Sequence, residues 1–303
     1  MGNSIANIFR SITDVANHFL YQNHNVMNSL LVTIVLYKQS FNDTPSVKSI
    51  ETSLSSALEK GMVFVYDNSP IPQQIQSEIA GWKIIYKHNP KNDGISKGYN
   101  ESAELAKELG KEWLLFIDQD SVFPVDYLQS LESAINENKN TFIFAPILKS
   151  GARIISPNWV FLEKGLSMKI PITGNQPMKF KSFINSGLCV RLTAFNKVGG
   201  YNDKIRLDFS DTYFVNKLKR AFNQIYVLDM IVEHSLSTFS DNYNSQLIRF
   251  RYYCNGARNF SNIVNFFPIL GICSFRAIKL SLLSKNMNFF TTYLQYYILG
   301  KSL

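Results

Sequence analysis

Glu112-Trp113-Leu114-Leu115-Phe116-Ile117-Asp118-Gln119-Asp120-Ser121-Val122-Phe123-Pro124 decides how the rest of the chain is read. The apolar run Trp113 to Ile117 has the length and character of a strand buried on both faces, as in a parallel sheet. It ends on two carboxylates one residue apart, and Pro124 then suits the opening of a helix. In extended backbone, residues i and i+2 point the same way. Asp118 and Asp120 can therefore face one spot beyond the carboxyl end of the strand, where open α/β sheets bind ligands. Two like charges so close call for a cation between or beside them. A divalent ion carrying a diphosphate answers that need; an isolated Asp-x-Asp also suits a polar turn.

Outward from this strand, apolar strands and amphipathic helices alternate. Leu30–Tyr37, Met62–Tyr66, Trp82–Tyr86 and Thr141–Leu148 read as strands. Helices are expected after Thr44-Pro45, with Val47, Ile50, Leu54 and Leu58 on one face and Gly61 as the stop. Further helices are expected over Pro72–Ala80, from Lys97 to Leu109 and over Pro124–Asn136. This alternation calls for a mostly parallel sheet flanked by helices. Residues 151–181 loosen into loops and short strands. Then come a strand Phe183–Leu192, a short helix capped by Thr193 and ending at Gly199-Gly200, a helix to about Arg220 and a strand Gln224–Leu228. Ahead of the sheet, Ile5 to Leu20 forms an amphipathic pattern joined by a polar linker. The expected organisation is residues 1–29 as that helix and linker, 30–237 as a catalytic domain with halves at 30–148 and 149–237, and 238–303 as a helical membrane- or dimer-associating region.

With 303 residues, 46% hydrophobic and 18% charged, the chain can bury a substantial core and is not disordered in composition. Cys189, Cys254 and Cys273 are odd in number and far apart, which fits a reducing compartment better than a disulfide framework. No secretory signal is expected, and Ala6 spoils a near-match to a myristoylation signal. The net charge is +8, yet Asn242 to Leu303 contains no Asp or Glu and carries seven Lys and Arg residues. Aromatic and basic residues interleave there, which suits the interface of an anionic membrane. Pro268, Arg276 and Lys279 break up the most apolar window, so a spanning helix is not expected. Nothing in the tail matches a nucleic-acid-reading motif, and no nucleic-acid partner is expected. Tyr37-Lys38-Gln39-Ser40 is not the glycine turn of a Rossmann dehydrogenase, and a phosphate-binding Walker loop is absent.

The order of Tyr37, Tyr66-Asp67-Asn68-Ser69, Gly94 to Asn100, Asp118-Gln119-Asp120, Asn185-Ser186-Gly187, Gly199-Gly200-Tyr201, Asp208-Phe209-Ser210-Asp211 and His234 resembles the family-2 glycosyltransferases of the GT-A fold. It is most similar to their rhamnosyltransferase branch, over roughly residues 30–237. The resemblance implies an inverting transfer from a nucleotide sugar, dTDP-rhamnose in the first place, onto a lipid-linked or oligosaccharide acceptor of a cell-surface polysaccharide such as O-antigen. Galactofuranose or glucose donors, or a degenerate sugar-binding scaffold, are the alternatives. It further implies that Asp67 reads the pyrimidine base, that Tyr37, Lys97 and Asn100 line the donor site, and that Asp118 holds the ribose or the water shell of the metal. Asp120 would ligate Mg²⁺ or Mn²⁺ directly and His234 would complete the site. Asp208 and Asp211 stand where the family has its acidic catalytic pair, with Asp208 the first choice of base. The implied location is cytoplasmic, peripheral on the inner face of the cell membrane, and a homodimer contact is the other use of the C-terminal region.

Overall fold

The computed structural model describes residues 26–235 and 242–303. The amphipathic Ile5–Leu20 segment and the junction near residue 237 lie outside the described residues.

The chain first builds a parallel sheet from β1 (Leu30–Leu36), β2 (Met62–Asp67), β4 (Trp82–His88) and β5 (Trp113–Asp118), in the spatial order β5-β1-β2-β4. Its register brings the carboxyl ends level: Val35 pairs with Asp118, Leu36 with Asp67, and Asp67 with His88. All seven residues of β1 are buried, as a strand covered on both faces requires. Leu30, Val32, Ile34 and Leu36 share a core with Val47, Ile50 and Leu54 of α1 (Pro45–Ser56) and Leu128 and Leu131 of α3 (Tyr127–Glu137). Leu31 and Val35 face the opposite core, with Tyr99, Ala103 and Ala106 of α2 (Ile95–Glu108). Fully burying each Leu, Ile or Phe contributes about 1.5–3 kcal/mol. A one-residue slip of β5 would exchange those side chains between faces, so the position of Asp118 is firmly set.

Beyond β5 the sheet becomes mixed. β13 (Cys189–Arg191) lies antiparallel between β5 and β7 (Ile143–Ser150), and β14 (Gln224–His234) runs parallel to β7. Short strands extend the edges: β3 (Glu78–Ile79), β6 (Ser121–Val122), β8 (Arg153–Ser156) and β11 (Gly174–Pro177). β9 (Asn158–Phe161), β10 (Lys164–Ser167) and β12 (Lys181–Ser182) make a separate three-stranded sheet. α4 (Leu192–Val198) and α5 (Ser210–Ala221) pack on the second core. The expected mostly parallel, helix-flanked sheet stands.

Local expectations differ at several places, among them two helix starts: α3 begins at Tyr127, past Pro124, and α4 begins at Leu192, ahead of Thr193. Residues 72–80 form no helix, because the backbone N–H of Gln73 donates to the Tyr86 hydroxyl at 2.9 Å and Glu78-Ile79 pair with β4. Helix α1 stops at Ser56, ahead of Gly61, and leaves Leu58 exposed. The strand expected over Phe183–Leu192 shrinks to β13. Gly187, at φ +78°, turns the chain there and donates its N–H to the Phe116 carbonyl at 2.7 Å. β14 runs past Leu228 through a register shift and continues to His234.

The C-terminal region folds as α6 (Tyr243–Phe260), α7 (Phe266–Ser284) and α8 (Asn288–Tyr293), the last continuing through a widened turn, Leu294–Ile298. Their shared core of Phe250, Cys254, Ala257, Ile269, Cys273 and Phe289 also takes in Ile205, and Phe209 packs against it. The three helices are therefore seated on the segment that carries Asp208. Pro268 does not break α7; it occupies the first turn, where a missing N–H costs little. By length and composition α7 is apolar enough to cross a membrane.

Candidate active site

Asp118 ends β5 and Asp120 follows in the turn before β6. The Gln119 amide between them clamps the end of β1: it accepts from the Tyr37 N–H at 2.8 Å and donates to the Tyr37 carbonyl at 3.3 Å. The Asp118 N–H donates to Ser186 Oγ at 3.3 Å, Ser186 Oγ meets Ser121 Oγ at 2.6 Å, and Ser121 Oγ meets His234 Nδ1 at 2.8 Å. The continuation of β14 explains the last contact, since His234 pairs with Ser121 across β6. His234 Nδ1 lies 3.5 Å from Asp120 Oδ1. Desolvation raises Asp120 to about 6 against the pull of His234, with the Asp118 charge adding to the rise.

Asp118 is held by Tyr99, whose hydroxyl donates to Oδ1 at 2.8 Å. Across from it stands Asp211 in the first turn of α5, whose Oδ1 accepts from Asn185 Nδ2 at 2.5 Å; Asn185 Oδ1 in turn accepts from the Tyr201 hydroxyl at 2.7 Å. Tyr99, Asn185 and Tyr201 are buried, so these bonds are fixed by packing. Desolvation and then the Asp118 charge push Asp211 up to about 8. A carboxyl in that range is a strong base, poised near neutral pH.

Asp208 belongs to a different wall. Phe209 beside it has φ +73°, an uncommon backbone state for a side chain of this size, and its ring packs 5.0 Å from Tyr253 and 5.5 Å from Phe260. A Cβ at Gly256 would fall 2.4 Å from the Asp208 carbonyl oxygen, so α6 can approach this turn only with glycine there. Desolvation raises the Asp208 carboxyl while Arg249 of α6 and Arg276 of α7 oppose the rise. Its Oδ2 is shut from solvent without a hydrogen-bond partner. The Arg276 guanidinium stacks 4.1 Å over the Tyr253 ring, and Arg249 also draws Asp120 down.

The remaining sequence-derived residues divide. Asp67 is level with Asp118 but fully buried, its oxygens accepting from the Ser69 N–H at 2.9 Å, the Tyr86 hydroxyl at 2.9 Å and Gln73 Nε2 at 3.0 Å. Tyr37 is exposed at the same sheet edge. Lys97 and Asn100 do not join them. Successive helical residues turn by about 100°, so α2 aims Tyr99 at Asp118 and carries Lys97 and Asn100 round to its outer side. There Lys97 lies 3.5 Å from both Glu101 and Asp203, and Asn100 Nδ2 donates to the Tyr201 carbonyl at 3.1 Å and to Asp203 at 2.6 Å. Both line a separate cleft of about 520 Å³ with Glu104, Asn196 and Gly199.

Among the described residues no three His, Cys, Asp or Glu side chains are gathered tightly enough to ligate one ion alone. Asp120 and His234 offer one carboxylate and one imidazole side by side. Both could help to hold an ion whose remaining positions are filled by substrate phosphates and water, the carboxylate being the donor that Mg²⁺ and Mn²⁺ favour. Sequence reading missed Tyr99, Asn185 and Tyr201, which stood inside quoted motifs without a role, and Arg249 and Arg276, which it counted only among the basic residues of the C-terminal region.

The fold and this acid-lined sheet edge define a class, the GT-A glycosyltransferases. S. aureus TarS residues 1–349 superpose with a TM-score of 0.51 at 13% identity, covering 90% of this chain and 92% of that one. The TarS complex with UDP-GlcNAc gives 0.50 at 14% identity, over 76% and 66% of the two chains. The model of Glycosyl transferase family 2 matches residues 40–193, just over half of the sequence, and the chain belongs to that family. The dTDP-rhamnosyl transferase RfbF of Shigella flexneri is 31% identical over 189 residues, which make up 61% of this chain and 62% of that relative.

Proposed function

We propose that the protein transfers rhamnose from dTDP-rhamnose, with inversion, onto a lipid-linked or polysaccharide hydroxyl acceptor. The convergence of Asp118, Asp120, His234 and Asp211 on one sheet edge carries the reading, and the likeness to RfbF supports the choice of donor. In this reading Tyr37 and the Gln119 clamp form the nucleotide end of the site, the buried Asp67 braces it from within in place of contacting the base directly, and Asp118 orients the donor through the bond that Tyr99 fixes.

Asp120 and His234 would hold Mg²⁺ or Mn²⁺, which when bound stabilises the negative charge of the departing diphosphate. Asp211 takes the proton from the acceptor hydroxyl as its oxygen attacks the anomeric carbon and the bond to the diphosphate breaks. What favours Asp211 over Asp208 is its place opposite Asp118 and a carboxyl raised to about 8. Asp208 is instead hemmed in by Arg249 and Arg276. This reverses the order of preference drawn from sequence. The base is worth ~10²–10⁴ in rate. The reading places the protein in the cytoplasm, peripheral on the inner face of the membrane that holds a lipid-linked acceptor.

The test is release of dTDP from dTDP-rhamnose by the full chain with Mn²⁺ or Mg²⁺, in parallel with UDP-glucose and UDP-galactofuranose. Faster turnover of dTDP-rhamnose supports the proposal. Turnover confined to a UDP-sugar overturns the donor, and neither binding nor turnover of any nucleotide sugar overturns the enzyme.

A further inference from the structure

Helix α7 buries one face and leaves the other bare. Ile269, Cys273, Ala277 and Ser281, spaced four apart, point into the C-terminal helical core. Phe267, Gly271, Phe275, Ile278 and Leu282 follow one another at i, i+4, i+8, i+11 and i+15, which places them along the opposite side. Phe267 is 78% exposed, Phe275 70% and Leu282 73%, and just before the helix Ile263 and Val264 are 98% and 90% exposed. At about 150–250 Å² for an aromatic side chain, the two rings alone present roughly 200–350 Å². With the aliphatic residues added, the stripe passes the 300–600 Å² that is the largest patch on an ordinary soluble monomer.

The charge around the stripe selects its occupant. Lys279 stands on the exposed side of α7, Lys285 ends the helix, Arg251 is exposed on α6, and from Asn242 onward there is no acid at all. A second copy docking through the same stripe would bring identical cations together across a two-fold axis. An anionic bilayer attracts them instead, by about fivefold in partitioning for each cation near the surface. Crossing the bilayer conflicts with the other face of α7, which is committed to α6 and α8, and with Arg276, which faces Asp208 beside Tyr253.

We infer that the bare face of α7, with the Ile263-Val264 turn, is a membrane-docking surface that lies in the headgroup region of an anionic bilayer. Because Arg276 on this helix faces Asp208, docking holds the acid-lined site at a fixed distance from the lipid plane. The inference stands on surface residues outside the catalytic cluster, so it does not depend on which sugar is transferred.

The experiment is flotation of the full chain with phosphatidylglycerol–phosphatidylethanolamine vesicles and with phosphatidylcholine vesicles, at low and high salt. The wild type is expected to float with the anionic vesicles and to be partly released by salt. Phe275→Glu with Leu282→Glu should cut partitioning at least tenfold, and Lys279→Gln with Lys285→Gln about 25-fold at low salt, with much of that difference vanishing at high salt. Melting temperature and donor turnover in solution should match wild type in both variants. The lysine pair keeps the test decisive should the glutamate pair fail to fold. Absence of wild-type binding overturns the inference, as does equal binding by the lysine pair, which would transfer the contact to another part of the chain. Sedimentation showing a wild-type dimer that the glutamate pair converts to monomer would also overturn it, by making the stripe a subunit interface.

Discussion

Asp211→Asn separates the two consequences of a carboxyl held far above its ordinary range. The substitution keeps the shape and an oxygen that can accept from Asn185 Nδ2, so the 2.5 Å contact has a successor. In the folded protein the carboxyl titrates at about 8, against 3.8 for an unperturbed aspartate. Between those values the unfolded chain releases the proton while the native state keeps it. Native stability therefore falls as pH rises through this window, and the loss is complete above the folded value. At pH 7 the part of the shift already crossed, from 3.8 upward, corresponds to at most about 4 kcal/mol. The residue as a whole is partly exposed, and screening reduces the figure to about 1–2 kcal/mol. The Asn variant escapes this penalty. It should melt roughly 2–4 °C above wild type near pH 8, at about 2 °C per kcal/mol for a chain of this size, and with wild type near pH 4. Its kcat should fall by ~10²–10⁴ while donor affinity, read by calorimetry, stays within a few-fold. Asp208→Asn should cost less in kcat. A pH-independent melting difference would refute the shifted carboxyl. A larger kcat loss in Asp208→Asn would return the base to Asp208.

Asp120→Ala should remove the dependence of donor binding on Mn²⁺, measured by titrating dTDP-rhamnose with and without the ion; binding that stays equally metal-sensitive would move the ligand elsewhere. Asp67→Ala takes one acceptor each from the Tyr86 hydroxyl, Gln73 Nε2 and the Ser69 N–H, so it should lower stability by about 1–3 kcal/mol in urea melts as well as weaken donor binding. Unchanged donor affinity in a folded Asp67→Ala protein would leave the residue a purely internal brace. Gly256→Ala places a methyl 2.4 Å from the Asp208 carbonyl and should destabilise by about 1–3 kcal/mol. It should also lower kcat more than it raises KM; full activity would mean that the C-terminal helices do not position the Asp208 wall.

The parts legible in sequence are those that short-range pattern dictates. Five apolar residues before Asp118 allowed one reading, and the level ends of β1, β2 and β5 follow once such strands lie parallel. What pattern does not carry is which side of an element a neighbour faces. Lys97, Tyr99 and Asn100 fall within four consecutive motif positions, yet helix geometry sends the tyrosine to Asp118 and the other two to Asp203. His234 was readable only by resemblance, because its place beside Asp120 depends on β14 passing through an irregularity that no periodicity announces. The C-terminal arginines were hidden for another reason. An acid-free basic segment looks the same whether its cations face lipid or a carboxylate, and only the packing of α6 and α7 sorts them. Arg249 and Arg276 turn inward to Asp208, while Lys279 and Lys285 remain outside. One stretch of sequence thus supplies both a wall of the site and the surface that faces away from it. Deleting the tail to test membrane binding would remove part of the site as well, and surface substitutions are the cleaner probe.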